Sequence, residues 1–228
     1  MADDRPPPVP ALVVDVVSDV VCPWCFVGKR RLERALALVP DIAVDVQWRP
    51  YQLAPEIPEG GVPREAYMLG KFGSRERIAG LHDRLMAVGA EEGIAFAFDA
   101  ITVSPNTLDA HRLILWARST GAQDAVVEEL FRAFFLEGRN LADRQTLIAI
   151  GVAHGLDGEL LAQLYASDAD VERTRREIAS AQRIGITGVP FFIVGGRYGL
   201  AGAEDPQTIA GAIRQAASEP QDDATAAG

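Results

Sequence analysis

The stretch that decides the reading is "SDVVCPWCFVGKRRLERAL", Ser18 to Leu36, which holds the only two cysteines of the 228-residue chain, Cys22 and Cys25. Two cysteines three positions apart can be half of a metal site, a small structural staple or a working redox pair. A structural zinc takes about four ligands. Beyond the cysteines only His82, His111 and His154 could join, and none has paired ligand spacing. No metal is therefore expected. The staple depends on the compartment. The opening "MADDRPPPVP" is acidic and proline-rich, where a secretory signal needs a basic start and an apolar run. The chain is expected in the cytoplasm, where ordinary thiols stay reduced and a staple would be unusual. Redox work is the best of the three answers.

The residues around the pair say where it sits. Ala11–Val17, "ALVVDVV", is a valine-rich run that reads as a buried strand. From Pro23 the pattern turns helical, with Trp24, Val27, Arg31, Leu32, Ala35 and Leu36 at helical spacing until Pro40. Ile42–Trp48, "IAVDVQW", alternates as a strand should. The cysteines thus lie where a first strand hands over to a helix in a β-α-β unit. A thiolate is the attacking species, and the unpaired N–H groups and positive dipole end of a helix start favour negative charge on a sulfur placed there. Cys22 is expected to attack and Cys25, one turn on and recessed, to resolve the mixed disulfide. Pro23 suits the first helical turn. Trp24 is expected either to offer an aromatic surface to substrate or to pack against the rest of the chain.

After the loop "RPYQLAPEIPEGGVP", Arg49 to Pro63, the chain is largely helical to about Ile184. Val126, Leu130 and Phe134 beside Val127, Phe131 and Phe135 form one apolar face. Ser104-Pro105-Asn106 reads as the start of a helix running to about Ser119, and Asp143 and Asp157 read as helix caps. A helix after Val171 carries Ile178, Ala181 and Ile184. Strands then return: Phe191–Val194, a two-residue turn at Gly195-Gly196, and Arg197–Leu200, before a last helix from Pro206 with Ile209, Ala212, Ile213 and Ala216 on one face. The reading is an α/β fold of order β-α-β … α-β-β-α over residues 11–63 and 172–218, with an all-helical insertion over 64–171 and flexible tails at 1–10 and 219–228. A net charge of -10 would repel phosphate backbones and anionic lipid, so neither nucleic acid nor a membrane surface is an expected partner.

That order, with CPWC at Cys22–Cys25 and "GVPFF" at Gly188–Phe192, resembles the DsbA-like branch of the thioredoxin superfamily. More narrowly, "SDVVCPWCFVGK", "WRPYQL", "PNTLDAHRL" and "GITGVPFFIVGGRYGLAGA" resemble the cytosolic FrnE-like group, related to kappa-class glutathione transferases and 2-hydroxychromene-2-carboxylate isomerases. The resemblance runs from Leu12 to Ala217. It implies a thioredoxin-like fold and a thiol–disulfide oxidoreductase or isomerase working through a redox-active Cys22–Cys25 disulfide with no tightly bound cofactor. In the family the proline matching Pro190 is cis and faces the cysteines, leaving the backbone of Val189 to pair with an extended substrate. Strongly oxidising DsbA proteins carry Pro-His between the cysteines. Pro-Trp here lacks that ionisable group, and a less oxidising disulfide is expected.

His111 and Asn106 fall in the family segment that lies across the cleft, and Arg49, Tyr51 and Gln52 follow the second strand. All five are candidate cleft residues. Asp15 and Asp19 are candidate proton carriers for Cys25; the expected role of Asp19 is to cap backbone amides, with Asp15 left open. Glutathione is a candidate cofactor. Related glutathione-binding enzymes place a Ser-Asp-like pair where this chain has Ala203-Glu204, which argues against a dedicated site. The isomerases typically show serine where Cys22 stands, so two cysteines argue for exchange. The alternative is a glutathione-dependent isomerase or transferase acting on an aromatic or polyketide-type small molecule. A thiol- or disulfide-containing protein or small molecule is the expected substrate. The glutathione or thioredoxin system is expected to recycle the pair, since no second cysteine pair exists, and the relatives point to a homodimer.

Overall fold

The computed structural model describes residues 11–219; the tails expected at 1–10 and beyond Glu219 lie outside the described residues. The chain runs β1 (Leu12–Ser18), α1 (Pro23–Ala37) and β2 (Val44–Pro50). It continues through β3 (Val62–Pro63), α2 (Arg64–Phe72), α3 (Arg75–Glu91), β4 (Val103–Ser104), α4 (Leu108–Ala117) and α5 (Gln123–Phe135). α6 (Arg144–Ala153), α7 (Gly158–Tyr165) and α8 (Val171–Arg183) lead to β5 (Phe191–Val194), β6 (Tyr198–Ala201) and α9 (Pro206–Ser218). The main sheet has the order β2-β1-β5-β6. β1 and β2 are parallel, Leu12 opposite Val44 and Ser18 opposite Pro50, whereas β5 and β6 run antiparallel to their neighbours. This is the thioredoxin-like sheet of an α/β chain interrupted by helices.

β1 is the central strand and explains its own sequence. Val14 and Val16 belong to the main core with Phe26 of α1 and Ile209 and Ile213 of α9, all at most 1% exposed. Val17 faces a second, smaller cluster with Tyr51, Ala181 and Ile186 on the α8 side. A strand covered on both faces reads as a nearly continuous apolar run, and Asp15 is the one interruption. Its carboxylate accepts from Arg49 Nε at 2.5 Å across the β1–β2 ladder.

Several local expectations shift. The region between the sheet halves is not wholly helical: Val62–Pro63 pairs with Val103–Ser104 as a short antiparallel ladder. The helix expected from Ser104-Pro105-Asn106 begins at Leu108, because Asn106 Oδ1 accepts from the Leu108 N–H at 3.0 Å from outside the helix. Both glycines of Gly195-Gly196 take positive φ, 60° and 70°, as a tight turn requires. The ladder resumes only at Tyr198, opposite Val194, so Arg197 joins the turn. Ile184 is 65% exposed, not on the buried face of α8, since it closes that helix and Gly185 at φ 89° turns the chain away. Asp143 and Asp157 do cap α6 and α7, each accepting from two backbone N–H groups. Glu219, expected within the tail, closes α9, and its carboxylate accepts from the Tyr198 hydroxyl. Among the described residues no helix is long and apolar enough to cross a membrane.

Candidate functional site

β1 delivers the chain to the site and α1 receives it. Between them the Cys22 N–H donates to Asp19 O at 3.0 Å, closing a turn that sets Cys22 at the N-cap of α1 with extended backbone, φ -93° and ψ 112°. Pro23 follows in the first turn, where its missing N–H costs no helical bond. The Cys25 and Phe26 N–H groups return to Cys22 O at 3.0 and 3.4 Å. Both sulfurs are free thiols; Cys22 is 4% exposed and Cys25 1%. The Cys22 thiol faces Val189 O at 3.5 Å. Burial, and then the neighbouring Cys22, push the Cys25 thiol well above the ordinary range, while the Ser18 hydroxyl and the Asp19 backbone oppose that rise. Both thiols are thus buried, Cys25 the more deeply, with its proton held.

Pro190 directly follows Val189, whose carbonyl the Cys22 thiol faces. The Val189–Pro190 peptide is cis, Pro190 is buried and Val189 half-buried. Pro190 O accepts from the Gly202 N–H at 2.8 Å, which ties the segment to the end of β6. α1 approaches closely because Gly28 has no side chain: a Cβ there would lie 2.9 Å from Pro190 Cγ and 3.3 Å from Phe192 Cζ.

Beside Cys22 opens a mostly apolar cleft of about 340 Å³. Cys22, Pro23 and Trp24 form one end, and Leu53, Ala54 and Ile57 of the loop after β2 form its floor. The far wall is built by Arg64, Tyr67, Met68, Lys71 and Phe72 of α2, with His82 and Leu85 of α3 and Phe98 beyond. Trp24 is thus a wall of the cleft. The α2 residues were not singled out in the sequence. Their signal is present in "REAYMLGKF": positions 64, 68 and 72 share one stripe and 67 and 71 the next, yet α2 buries no residue fully. Here that stripe lines the cleft.

The five residues expected along the cleft lie elsewhere, and none lines this cavity. Arg49 pairs with Asp15. Tyr51, 8% exposed, sits in the α8-side cluster, and its carbonyl is 2.8 Å from His111 Nε2. Gln52 Nε2 donates to Asn106 Oδ1 at 2.9 Å, and Asn106 Nδ2 to Ile57 O at 2.6 Å. His111 is 3% exposed. Tyr51, Gln52, Asn106 and His111 thus tie the loop after β2 to the start of α4, while Arg49 stays within the sheet. Asp19 is fully buried, its Oδ2 accepting from the Leu53 N–H at 2.8 Å, so it caps a backbone amide as expected, though one from a distant loop. Its Oδ1 is 3.4 Å from His111 Nε2. Of the loop before α9, Ala203 O accepts from Arg31 at 2.6 Å, which occupies that carbonyl within the fold.

Comparison with known proteins fits this geometry. The profile described as the DSBA-like thioredoxin domain matches residues 13–214. A solved structure of a probable DsbA oxidoreductase from Streptomyces coelicolor is 33% identical, with 92% of this chain and 91% of that one covered and a TM-score of 0.85. YwbO of Bacillus subtilis, an uncharacterised protein, is 27% identical over 187 residues, 80% of this chain and 86% of its own. In fold alone, the chain is also similar to the cytosolic disulfide reductase DsbM of Pseudomonas aeruginosa. That likeness has 22% identity, a TM-score of 0.63, and covers 91% and 99% of the two chains. A structure of DsbM with glutathione is known as well.

Proposed function

The chain belongs to the DSBA-like thioredoxin domain family, and from that premise we propose that it is a cytoplasmic thiol–disulfide oxidoreductase or isomerase working through the CPWC pair. The observation that carries the reading is the arrangement of the two sulfurs. Cys22 stands at the N-cap of α1 facing Val189 O, and Cys25 is buried behind it with its thiol held protonated. Cys22, as thiolate, attacks one sulfur of a substrate disulfide; that bond breaks, one substrate thiolate leaves and takes a proton, and a mixed disulfide remains. Cys25 then loses its proton and attacks Cys22 Sγ, which releases the second substrate thiol and leaves a Cys22–Cys25 disulfide. Two electrons have passed from protein to substrate, and the reverse sequence oxidises a dithiol.

Val189 is the residue whose main chain would pair with an extended client, with Pro190, Pro23 and Trp24 shaping the approach. The substrate is a thiol- or disulfide-bearing protein or small molecule, and glutathione or the thioredoxin system recharges the pair from outside. The apolar cleft beside Cys22 favours a second reading, a glutathione-dependent isomerase or transferase of an aromatic small molecule.

Cys25→Ser separates the two. Incubated with a disulfide-bonded peptide, that variant should accumulate a mixed disulfide at Cys22, seen by mass spectrometry, and lose turnover, while Cys22→Ser should trap nothing. Full glutathione-dependent turnover in Cys25→Ser would overturn exchange in favour of the second reading.

A further inference from the structure

The cleft beside Cys22 has a charge pattern that disulfide exchange alone does not require. In a chain of net charge -10, Asp19 is the only acidic side chain among the described residues lining it, and its carboxylate is buried and turned to the Leu53 N–H. Facing it stand Arg64, Lys71 and His82. Lys71 is partnered: its Nζ donates to the Tyr67 hydroxyl at 2.9 Å and lies 5.3 Å from the centre of that ring. Arg64 is not. Among the described residues no carboxylate or carbonyl accepts from its guanidinium, which lies 5.7 Å from the centre of the Phe134 ring. His82 stacks on Phe98 at 4.2 Å between centroids, and its Nε2 is buried without a hydrogen-bond partner. Arg64 and His82 line the same cleft, and burial, then the Arg64 charge, pull His82 below the ordinary histidine range against the opposing charges of Asp99 and Asp83.

A buried ring nitrogen left without a partner costs free energy, and the half-buried Arg64 guanidinium beside it has no carboxylate to neutralise its charge. Such groups are satisfied cheaply by an acceptor that arrives with a ligand, and a few convergent polar groups in an apolar pocket are the mark of a small-molecule site. We propose that this cleft binds the apolar body of a small organic anion, with its carboxylate or sulfonate on Arg64 and a ring against Phe98 and Met68. On the exchange reading of Cys22, on which this last clause rests, the favoured substrate is an aromatic disulfide carrying such a group, its sulfur directed to Cys22.

Two probes that differ in charge test the binding. Fluorescence titration with 8-anilinonaphthalene-1-sulfonate and with the neutral N-phenyl-1-naphthylamine is run on the wild type, Arg64→Met and Arg64→Lys, each also carrying Cys22→Ser. The dissociation constant of the sulfonate, relative to that of the neutral dye, should rise about tenfold or more in Arg64→Met, the loss of a charge-assisted hydrogen bond. Most of it should return in Arg64→Lys. If both dyes weaken together, or the sulfonate is unaffected, the anion site is overturned. Single-turnover reduction of 5,5′-dithiobis(2-nitrobenzoate) and of neutral 2,2′-dithiodipyridine by the dithiol protein then gives two thiols per protein disulfide formed. The ratio of the two rate constants should fall in Arg64→Met by a similar factor. Arg64-dependent dye binding without reduction of either disulfide keeps the anion site and retires exchange. Reduction at a ratio indifferent to Arg64 keeps exchange and retires the anion site.

Discussion

Cys25 is the residue whose environment makes the sharpest prediction. Burial and Cys22 raise its thiol in the folded protein, whereas an unfolded thiol titrates near ~8.5. Above that pH the folded dithiol form holds a proton the unfolded chain has lost. Its contribution to stability is therefore complete below about pH 8.5 and is lost as pH rises toward the folded value, by roughly 1.4 kcal/mol per pH unit. Urea unfolding of the dithiol protein between pH 7.5 and 10 should show a steeper fall in wild type than in Cys25→Ala, and equal slopes would mean an unshifted thiol. The placement of Cys22 and Cys25 is legible in sequence because it lies in spacing and position at the start of one helix. His111, Asn106, Gln52 and Tyr51 are a different case. Motif position suggests a cleft, but their hydrogen bonds join residues about 50 to 60 apart, and no local pattern reveals which side of a loop such a residue braces.

Between α1 and β5 the contact is set by one missing side chain. Gly28 lets the helix lie against Pro190 and Phe192, and a methyl group there would fall inside contact distance of both. Gly28→Ala should cost about 1–3 kcal/mol through overpacking. It should also slow exchange, because it displaces Pro190, which follows the Val189 carbonyl that faces Cys22. Thermal denaturation and the rate with a disulfide peptide measure the two effects; an unchanged rate would separate Pro190 from the chemistry. The caps give a smaller change: Asp157→Ala removes two bonds at the start of α7 and should cost ~1 kcal/mol without altering the rate. Long periodic elements such as β1, α1 and α5 are readable because burial repeats along them. β3 and β4, two residues each, have no period to read, and α2 is missed for the opposite reason. Its stripe is visible, but a sequence alone does not say whether an apolar stripe meets a core or a cleft.

At the scale of the molecule, the helices inserted between β2 and β5 share a core with the sheet. Phe26 of α1 stacks on Phe131 of α5 at 5.1 Å and 11°, and Phe131 meets Trp48 of β2 edge-on at 6.4 Å. Around this aromatic contact lies a ring of charge. Lys29, 2% exposed, donates to Asp124 at 3.0 Å and Glu33 at 2.5 Å; Asp124 also accepts from Trp48 Nε1 at 3.0 Å, and Arg30 holds Glu128. The carboxylates reach water, so Lys29→Met should cost only about 1–2 kcal/mol. Phe131 is fully buried, and Phe131→Ala should cost ~3–5 kcal/mol. If the inserted helices were held only by surface ion pairs, they would melt apart from the sheet in two steps. Since the buried aromatic contact crosses from α1 to α5, unfolding should be a single transition, with tryptophan fluorescence and far-ultraviolet circular dichroism coincident in urea. Phe131→Ala should move both curves together to lower denaturant. A circular dichroism transition that shifts while the fluorescence midpoint stays would show that the helices fold as a unit of their own, with the cleft between α2 and Cys22 assembled only when the two dock.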